Sequence, residues 1–270
     1  MPREPTLITS LQNERVKLIR SLDMRKARRE TGLFVAEGAA IVMSAREGNF
    51  KPRILVTQAW MEQGDIGRRL IDWALEAGAD VLEASPAVLM KIAAKENPQT
   101  MMGVFEQRWA EPPVAASLDP SDVWLALDEV RDPGNLGTII RTADAVGAKG
   151  VILVGQCCDP YSHECVRATM GSIFSVPLVR MDRLQFIELA KAWSGEVVGT
   201  HLEAKEDFRR AKPRGPVMLV MGSEGPGMSE EVRAACSRLV LIPMAGALDS
   251  LNLAVATALA LYQLRGEHLG

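Results

Sequence analysis

Asn135 and Arg141, six positions apart, stand in a stretch from Leu127, the last residue of an apolar run, to Gly147. An apolar strand ends there and Asp132-Pro133-Gly134 makes a turn, so Asn135 sits at a strand's C-terminal end, placed to cap the helix that follows. In open α/β sheets, ligands gather at such ends. At ~100° per residue, Leu136, Ile139, Ile140, Ala143 and Val146 share one arc of about 120°. Arg141 falls off that arc, beside Thr138 and Asp144, free to meet a ligand or solvent. The plainer alternative is a cap at Asn135 and a surface pair between Arg141 and Asp144.

A second group lies between Leu219 and Ser229, where a buried strand runs into Gly222, Gly225 and Gly227 with Glu224 among them. Glycines there let backbone N–H and C=O groups approach a ligand closely. The loop is neither a dinucleotide fingerprint nor a phosphate loop ending in Gly-Lys-Ser/Thr. A mere strand-to-helix link would not need three glycines in six residues, so a ligand loop is expected. A third group runs from Ile242 to Tyr262. A strand ends at Pro243, a loop with Gly246 follows, and Asp249 or Ser250 caps a helix over 250–264. That helix is apolar nearly all round and rich in alanine (Ala254, Ala256, Ala258, Ala260), which suits burial or a subunit interface. Ser250 and Asn252 fall in its first turn, either facing a ligand or satisfying the helix N-terminus.

The elements that must hold these residues follow from periodicity. Apolar strands at 123–127, 150–154, 176–179, 196–200, 217–221 and 238–242 interleave with helices at 136–146, 164–172, 183–193, 229–236 and 250–264. Near-continuous apolar strands between helices imply a parallel sheet covered on both faces. Upstream, strands at 33–36, 53–57, 81–83 and 102–106 alternate with helices at 13–29, 39–47, 66–77 and 86–94, a small α/β domain. Residues 109–122, rich in Pro, Ala and Ser, read as a linker between domains at 1–108 and 123–270.

Bulk properties exclude more than they assign. A net charge of -3 over 270 residues gives no global case for nucleic acid binding. The clear local surplus is Arg15, Lys17, Arg20, Arg25, Lys26, Arg28 and Arg29, against Glu14 and Asp23. Such a helix either contacts phosphates in a salt-dependent way or is a solvated face. The four cysteines, Cys157, Cys158, Cys165 and Cys236, form no CxxC pair. Cys158, His163 and Cys165 lack a fourth ligand nearby, so no metal is expected and the thiols read as buried or half-buried. With a polar start (Met1 to Pro5), no signal segment and no run of the ~20 apolar residues needed to span a bilayer, the reading is a soluble cytoplasmic enzyme.

In order and spacing, NLGTIIRTADAVGA, MGSEGPGM and IPM followed by SLNLAVATALALY resemble the SpoU (TrmH-type) RNA ribose 2′-O-methyltransferases of the SPOUT superfamily. The stretch from Val166 to Gly171 is similar to the family's segment between its first two motifs, and SLQNERVKLIRSL with GLFVAEG resembles its substrate-binding domain. The resemblance implies a SPOUT-type parallel sheet threaded as a deep trefoil knot, a small N-terminal RNA-binding domain, a homodimer, and S-adenosylmethionine as cofactor. By motif position it implies catalytic roles for Asn135, Arg141, Glu224, Ser250 and Asn252. It implies cofactor contacts at Gly222, Ile242 and Leu251, with Thr200 and Met244 in addition.

Methyl transfer from a sulfonium is an in-line displacement that needs alignment rather than a metal. Arginine is a poor base because it scarcely deprotonates. Arg141 is therefore expected to stabilise the developing alkoxide electrostatically, with Asn135 and Glu224 holding Arg141 and the loop in place and Ser250 and Asn252 lining the site. The N-terminal domain favours ribosomal RNA by analogy. The alternatives are a tRNA ribose methyltransferase, a non-enzymatic RNA-binding assembly factor of the same fold, and a nucleotide-binding oxidoreductase, against which the missing fingerprint argues.

Overall fold

The computed structural model describes residues 4–93, 99–248 and 250–266; the sequence readings at Met1 to Arg3, at Ala94 and at Asp249 lie outside them. The chain forms two compact units, one of Met1–Gln107 with Asp159–Ser175, the other of Arg108–Cys158 with Val176–Gly270.

In the first unit, β1 (Thr6–Ile8) leads into α1 (Glu14–Ser21), α2 (Arg25–Thr31), β2 (Leu33–Glu37), α3 (Ala39–Glu47), β3 (Pro52–Thr57), α4 (Asp65–Glu76), β4 (Asp80–Ala84), α5 (Pro86–Ala93) and β5 (Met101–Glu106). The sheet order is β1-β4-β3-β5-β2, with β5 antiparallel to both neighbours and the remaining pairs parallel. Val16, Ile19 and Leu22 pack with Ile54, Val56, Leu82, Val88 and Leu89 on one core.

The single basic helix expected over 13–29 is two helices, and the break has a cause. Arg28 is 4% exposed. Its Nη1 donates to the carbonyls of Leu22 (2.7 Å) and Asp23 (2.8 Å), satisfying acceptors at the end of α1. Its Nε pairs with Asp159 at 2.8 Å. Arg28 is thus a structural residue, and its expected RNA contact is withdrawn. Arg20, Arg25, Lys26 and Arg29 are exposed, as are Arg15, ion-paired to Asp80, and Lys17, ion-paired to Glu14.

The second unit opens with β6 (Val123–Asp128), α6 (Pro133–Ala145) and β7 (Gly150–Val154). Residues 159–175, which contain α7 (His163–Ala168), belong to the first unit. There His163 Nε2 meets the Glu37 carboxylate at 2.9 Å, and the Phe34 ring packs on Tyr161 (4.7 Å between centroids) and Phe174 (5.8 Å). The second unit resumes with β8 (Leu178–Met181), α8 (Arg183–Ala192), β9 (Glu196–Thr200), β10 (Glu206–Asp207), β11 (Val217–Gly222), α9 (Glu230–Ala235), β12 (Arg238–Leu241) and α10 (Leu253–Arg265).

Its seven strands are all parallel, in the order β10-β12-β9-β11-β6-β7-β8. Along β6, Trp124 and Ala126 face a core shared with Phe186 and Ala190 of α8 and Val232 of α9. Leu125 and Leu127 alternate to the opposite face, the side on which α6 and α10 pack together. Residues 109–122 are irregular apart from one 3-10 turn at Ala115–Ser117; Trp109 stacks under Arg180 at 4.5 Å. Among the described residues no helix is long and apolar enough to cross a membrane.

Candidate active site

Because the strands of the second unit are parallel, their carboxyl ends lie along one edge. Thr200, Gly222 and Ile242 end or follow β9, β11 and β12 there. A cavity of about 740 Å³ opens at that edge. Thr200, Gly222, Ile242, Met244 and Leu251, expected to touch a cofactor, all line it, with Glu224, Ser250 and Asn252. His201, Glu203 and Ser223 line it too and were not singled out from sequence.

The glycine loop closes on itself. Ser223 and Gly227 exchange two backbone hydrogen bonds (3.1 and 3.0 Å), and Gly225 and Gly227 adopt φ of 85° and 74°, the left-handed region that favours glycine. A Cβ on Gly222 would lie 2.1 Å from the Gly227 carbonyl carbon and the Met228 nitrogen, so position 222 admits no side chain.

Glu224, at the tip of this loop, gathers the first and third motifs. Its Oε1 accepts from Asn135 Nδ2 (2.8 Å), Asn252 Nδ2 (3.1 Å) and the Leu253 N–H (3.2 Å). Asn252 Nδ2 also donates to Asn135 Oδ1 at 2.9 Å, closing a triangle of side chains from three distant stretches of chain. Capping differs from the sequence reading at both helices, and at α6 it leaves the Asn135 side chain free for the triangle. Asp132, not Asn135, caps α6 by accepting the Asn135 N–H at 2.6 Å, with Pro133 in the first turn where a missing N–H costs nothing. Asn252, not Ser250, caps α10, accepting from Ala254 (3.0 Å) and Val255 (3.2 Å).

Arg141 stands apart from this triangle. It is exposed on α6 and does not line the cavity, and no ion pair joins it to Asp144. Six residues from Asn135, it lies ~9 Å further along the helix and ~120° around it.

Asp128, not singled out from sequence, supports the loop from below. It ends β6 beside Gly222 of β11, and it is 2% exposed. Its Oδ2 accepts the Ser229 N–H at 2.7 Å, fixing the exit of the glycine loop. Arg183 lies 3.9 Å from its Oδ1 and bonds Glu129 at 3.1 Å. Glu129 holds a φ of 53°, unusual for a side-chain-bearing residue. Asp128→Ala should therefore cost about 1.5–3 kcal/mol of stability, the range for a hydrogen bond to a charged group, and weaken ligand binding in the cavity. Denaturant titration and calorimetry of donor binding check both; an unchanged midpoint would remove Asp128 from the loop's support.

None of the four cysteines is in a disulfide. Burial pushes Cys157 up to about 11 and Cys236 up to about 12, from an ordinary 9.0. The folded state thus holds these protons more tightly than the unfolded chain. The stability they contribute is whole below pH 9 and lost as pH rises toward 11–12. Cys157→Ser with Cys236→Ser should flatten the alkaline limb of a stability-against-pH curve, and an unaltered limb would deny the thiols this part. Among the described residues no group of three or more His, Cys, Asp or Glu side chains is placed to hold a metal.

Fold and cavity together define an α/β protein with a ligand cleft at the carboxyl ends of a parallel sheet, built from glycine-loop backbone and a knot of amides around one carboxylate. The chain belongs to the SpoU rRNA Methylase family, whose model matches residues 122–262. The MRM3-like substrate binding domain matches residues 13–103. The chain is 42% identical to an AdoMet-bound rRNA methyltransferase from Sinorhizobium meliloti, with a TM-score of 0.90, over 98% of this chain and 99% of that one. It is 30% identical to the 23S rRNA (guanosine(2553)-2'-O)-methyltransferase RlmP of Bacillus subtilis over 96% of this chain and 99% of that protein. The SpoU methyltransferase AviRb from Streptomyces viridochromogenes, solved with AdoMet, shares 29% identity at a TM-score of 0.81, covering 96% and 99% of the two chains. The SPOUT-type parallel sheet and an N-terminal substrate-binding domain, both implied by sequence resemblance, are thereby established.

Proposed function

We propose that this protein transfers a methyl group from S-adenosylmethionine to a ribose 2′-hydroxyl of ribosomal RNA. The observation that carries the reading is the Asn135–Glu224–Asn252 triangle, hydrogen-bonded at 2.8–3.1 Å beside the glycine-loop cavity. The cavity suits the donor in size, within the ~300–1,000 Å³ of small-molecule sites. It also suits it in chemistry, with closely approachable backbone at Gly222 to Gly227 and apolar walls from Ile242, Met244 and Leu251. When bound, S-adenosylmethionine supplies a methyl group activated on a sulfonium. Gly222, Thr200, Ile242, Met244 and Leu251 would hold it, and Ser250 lines the same cavity.

Glu224 fixes Asn135 and Asn252, and with them the start of α6 and of α10. Arg141 binds the ribose and its adjacent phosphate and stabilises the alkoxide as the hydroxyl loses its proton to phosphate or water. Two observations support a homodimer in which Arg141 completes the site. Arg141 does not line the cavity of its own chain. Beside α6, α10 exposes an apolar stripe of Val255, Leu259 and Tyr262, each at least 43% exposed, the kind of patch that marks an interface. The deep trefoil knot belongs to the same reading, as do RNA contacts through Arg15, Lys17, Arg20, Arg25, Lys26 and Arg29.

The test is transfer of labelled methyl to rRNA and tRNA fractions separately, from cells lacking this protein. Label in rRNA alone is expected. Label in tRNA alone would favour the tRNA reading, and no label in either with the donor bound would favour a non-enzymatic binding role.

A further inference from the structure

A second basic surface lies on the methyltransferase unit, between β9 and β11, where Lys205, Arg209, Arg210, Lys212 and Arg214 fall within ten residues. All five are exposed. The two carboxylates among them are engaged with neighbours. Glu206 pairs with Arg238 at 2.9 Å, and Asp207 takes the Arg209 guanidinium in a two-pronged bond, Nε lying 3.0 Å from each oxygen. That bond holds the Asp207 carboxyl down to about 2, so it remains a charged partner for Arg209. Lys205, Arg210, Lys212 and Arg214 are left without an ion pair or side-chain hydrogen bond among the described residues.

The segment carrying them is not a loose run. Phe208 N–H bonds the Leu241 carbonyl (2.9 Å), Arg210 N–H the Asp207 carbonyl (2.9 Å) and Arg214 N–H the Glu196 carboxylate (3.0 Å). Ala211 is buried, and Gln263 of α10 donates to the Arg209 carbonyl at 3.3 Å. Four unpaired cations are therefore displayed on a backbone already fixed, so binding a ligand orders their side chains but not the chain that carries them. The segment follows directly on Thr200, His201, Leu202 and Glu203, which line the cavity. In a chain whose net charge is -3, such a cluster is local and not a reflection of overall basicity.

We propose that Lys205, Arg210, Lys212 and Arg214 form a phosphate-binding surface on the methyltransferase unit that grips the RNA backbone beside the reaction site, separately from the N-terminal domain. This rests on the reading that the substrate is RNA. Each cation neutralises backbone charge without reading bases, so the surface sets affinity and register rather than sequence choice.

The experiment replaces all four by glutamine (Lys205→Gln, Arg210→Gln, Lys212→Gln, Arg214→Gln) and titrates rRNA at several salt concentrations. Arg68→Gln with Arg69→Gln on exposed α4 controls for net charge. RNA affinity is expected to fall on the order of a hundredfold near 100 mM salt, with the slope of log affinity against log salt shallower by about 2–3. Affinity for S-adenosylmethionine and the circular dichroism spectrum should be unchanged, and the control should show a much smaller effect. An unchanged RNA affinity and slope would overturn the surface, even if the wild-type protein methylates rRNA. If the wild type transfers no methyl while the slope still falls, the surface stands and the methylation reading fails.

Discussion

Arg141→Ala should lower turnover by about a hundred- to a thousandfold, the scale for removing one donor that stabilises developing negative charge, while affinity for S-adenosylmethionine stays within about twofold. The separation follows from geometry. Arg141 touches neither the glycine loop nor the Asn135–Glu224–Asn252 triangle, so its loss leaves the donor cleft intact. It sits on α6 with no partner at Asp144, so no local pair is broken. Turnover and donor calorimetry on the same preparation check it. Near-normal turnover would take Arg141 out of the chemistry, and lost donor binding would make it a structural residue.

Gly222→Ala should abolish donor binding. The added Cβ would stand 2.1 Å from the backbone of Gly227 and Met228, which no side-chain rotation can relieve. The loop must open, breaking the Ser223–Gly227 pairing and carrying Glu224 away from both asparagines. A loss of donor affinity of about a hundredfold or more is expected, with the sheet retained because β11 pairs on both sides below this point. Donor affinity like the wild type would show that this loop is not the donor site. Together the two variants also test the dimer. Mixed Arg141→Ala and Gly222→Ala chains should regain activity if an intact cleft on one chain is completed by Arg141 from its partner. They should stay inactive if Arg141 serves its own chain.

What the sequence disclosed depended on how locally each feature is decided. Strands β6, β7, β9 and β11 are apolar runs bounded by turn residues, and their positions followed from periodicity. The cavity-lining set at Thr200, Ile242, Met244 and Leu251 was implied by motif resemblance, and only the glycine loop announced itself by residue type, because glycines after a buried strand have few purposes. Capping was decided at longer range. Asp132 and Asn135 are both competent caps, and Pro133 was the local signal favouring Asp132. At α10 the choice of Asn252 over Ser250 reflects the bond to Glu224, 28 residues away in sequence. The break between α1 and α2 was hidden for the same reason, since Arg28 reads as one more surface cation until Asp159 arrives from another part of the chain. Asp128 gave no signal beyond a carboxylate ending an apolar strand, and its partner Ser229 lies 101 residues on. The strands β1 and β10, of three and two residues, are too short for a period to register.

The measurement that bears most directly on the proposed chemistry is methyl transfer to an rRNA substrate carrying a single 2′-deoxyribose at the modified nucleotide. Transfer should vanish for that substrate and persist when the deoxyribose is moved one nucleotide away. Undiminished transfer to the deoxy-substituted nucleotide would place the methyl on the base and contradict ribose 2′-O-methylation.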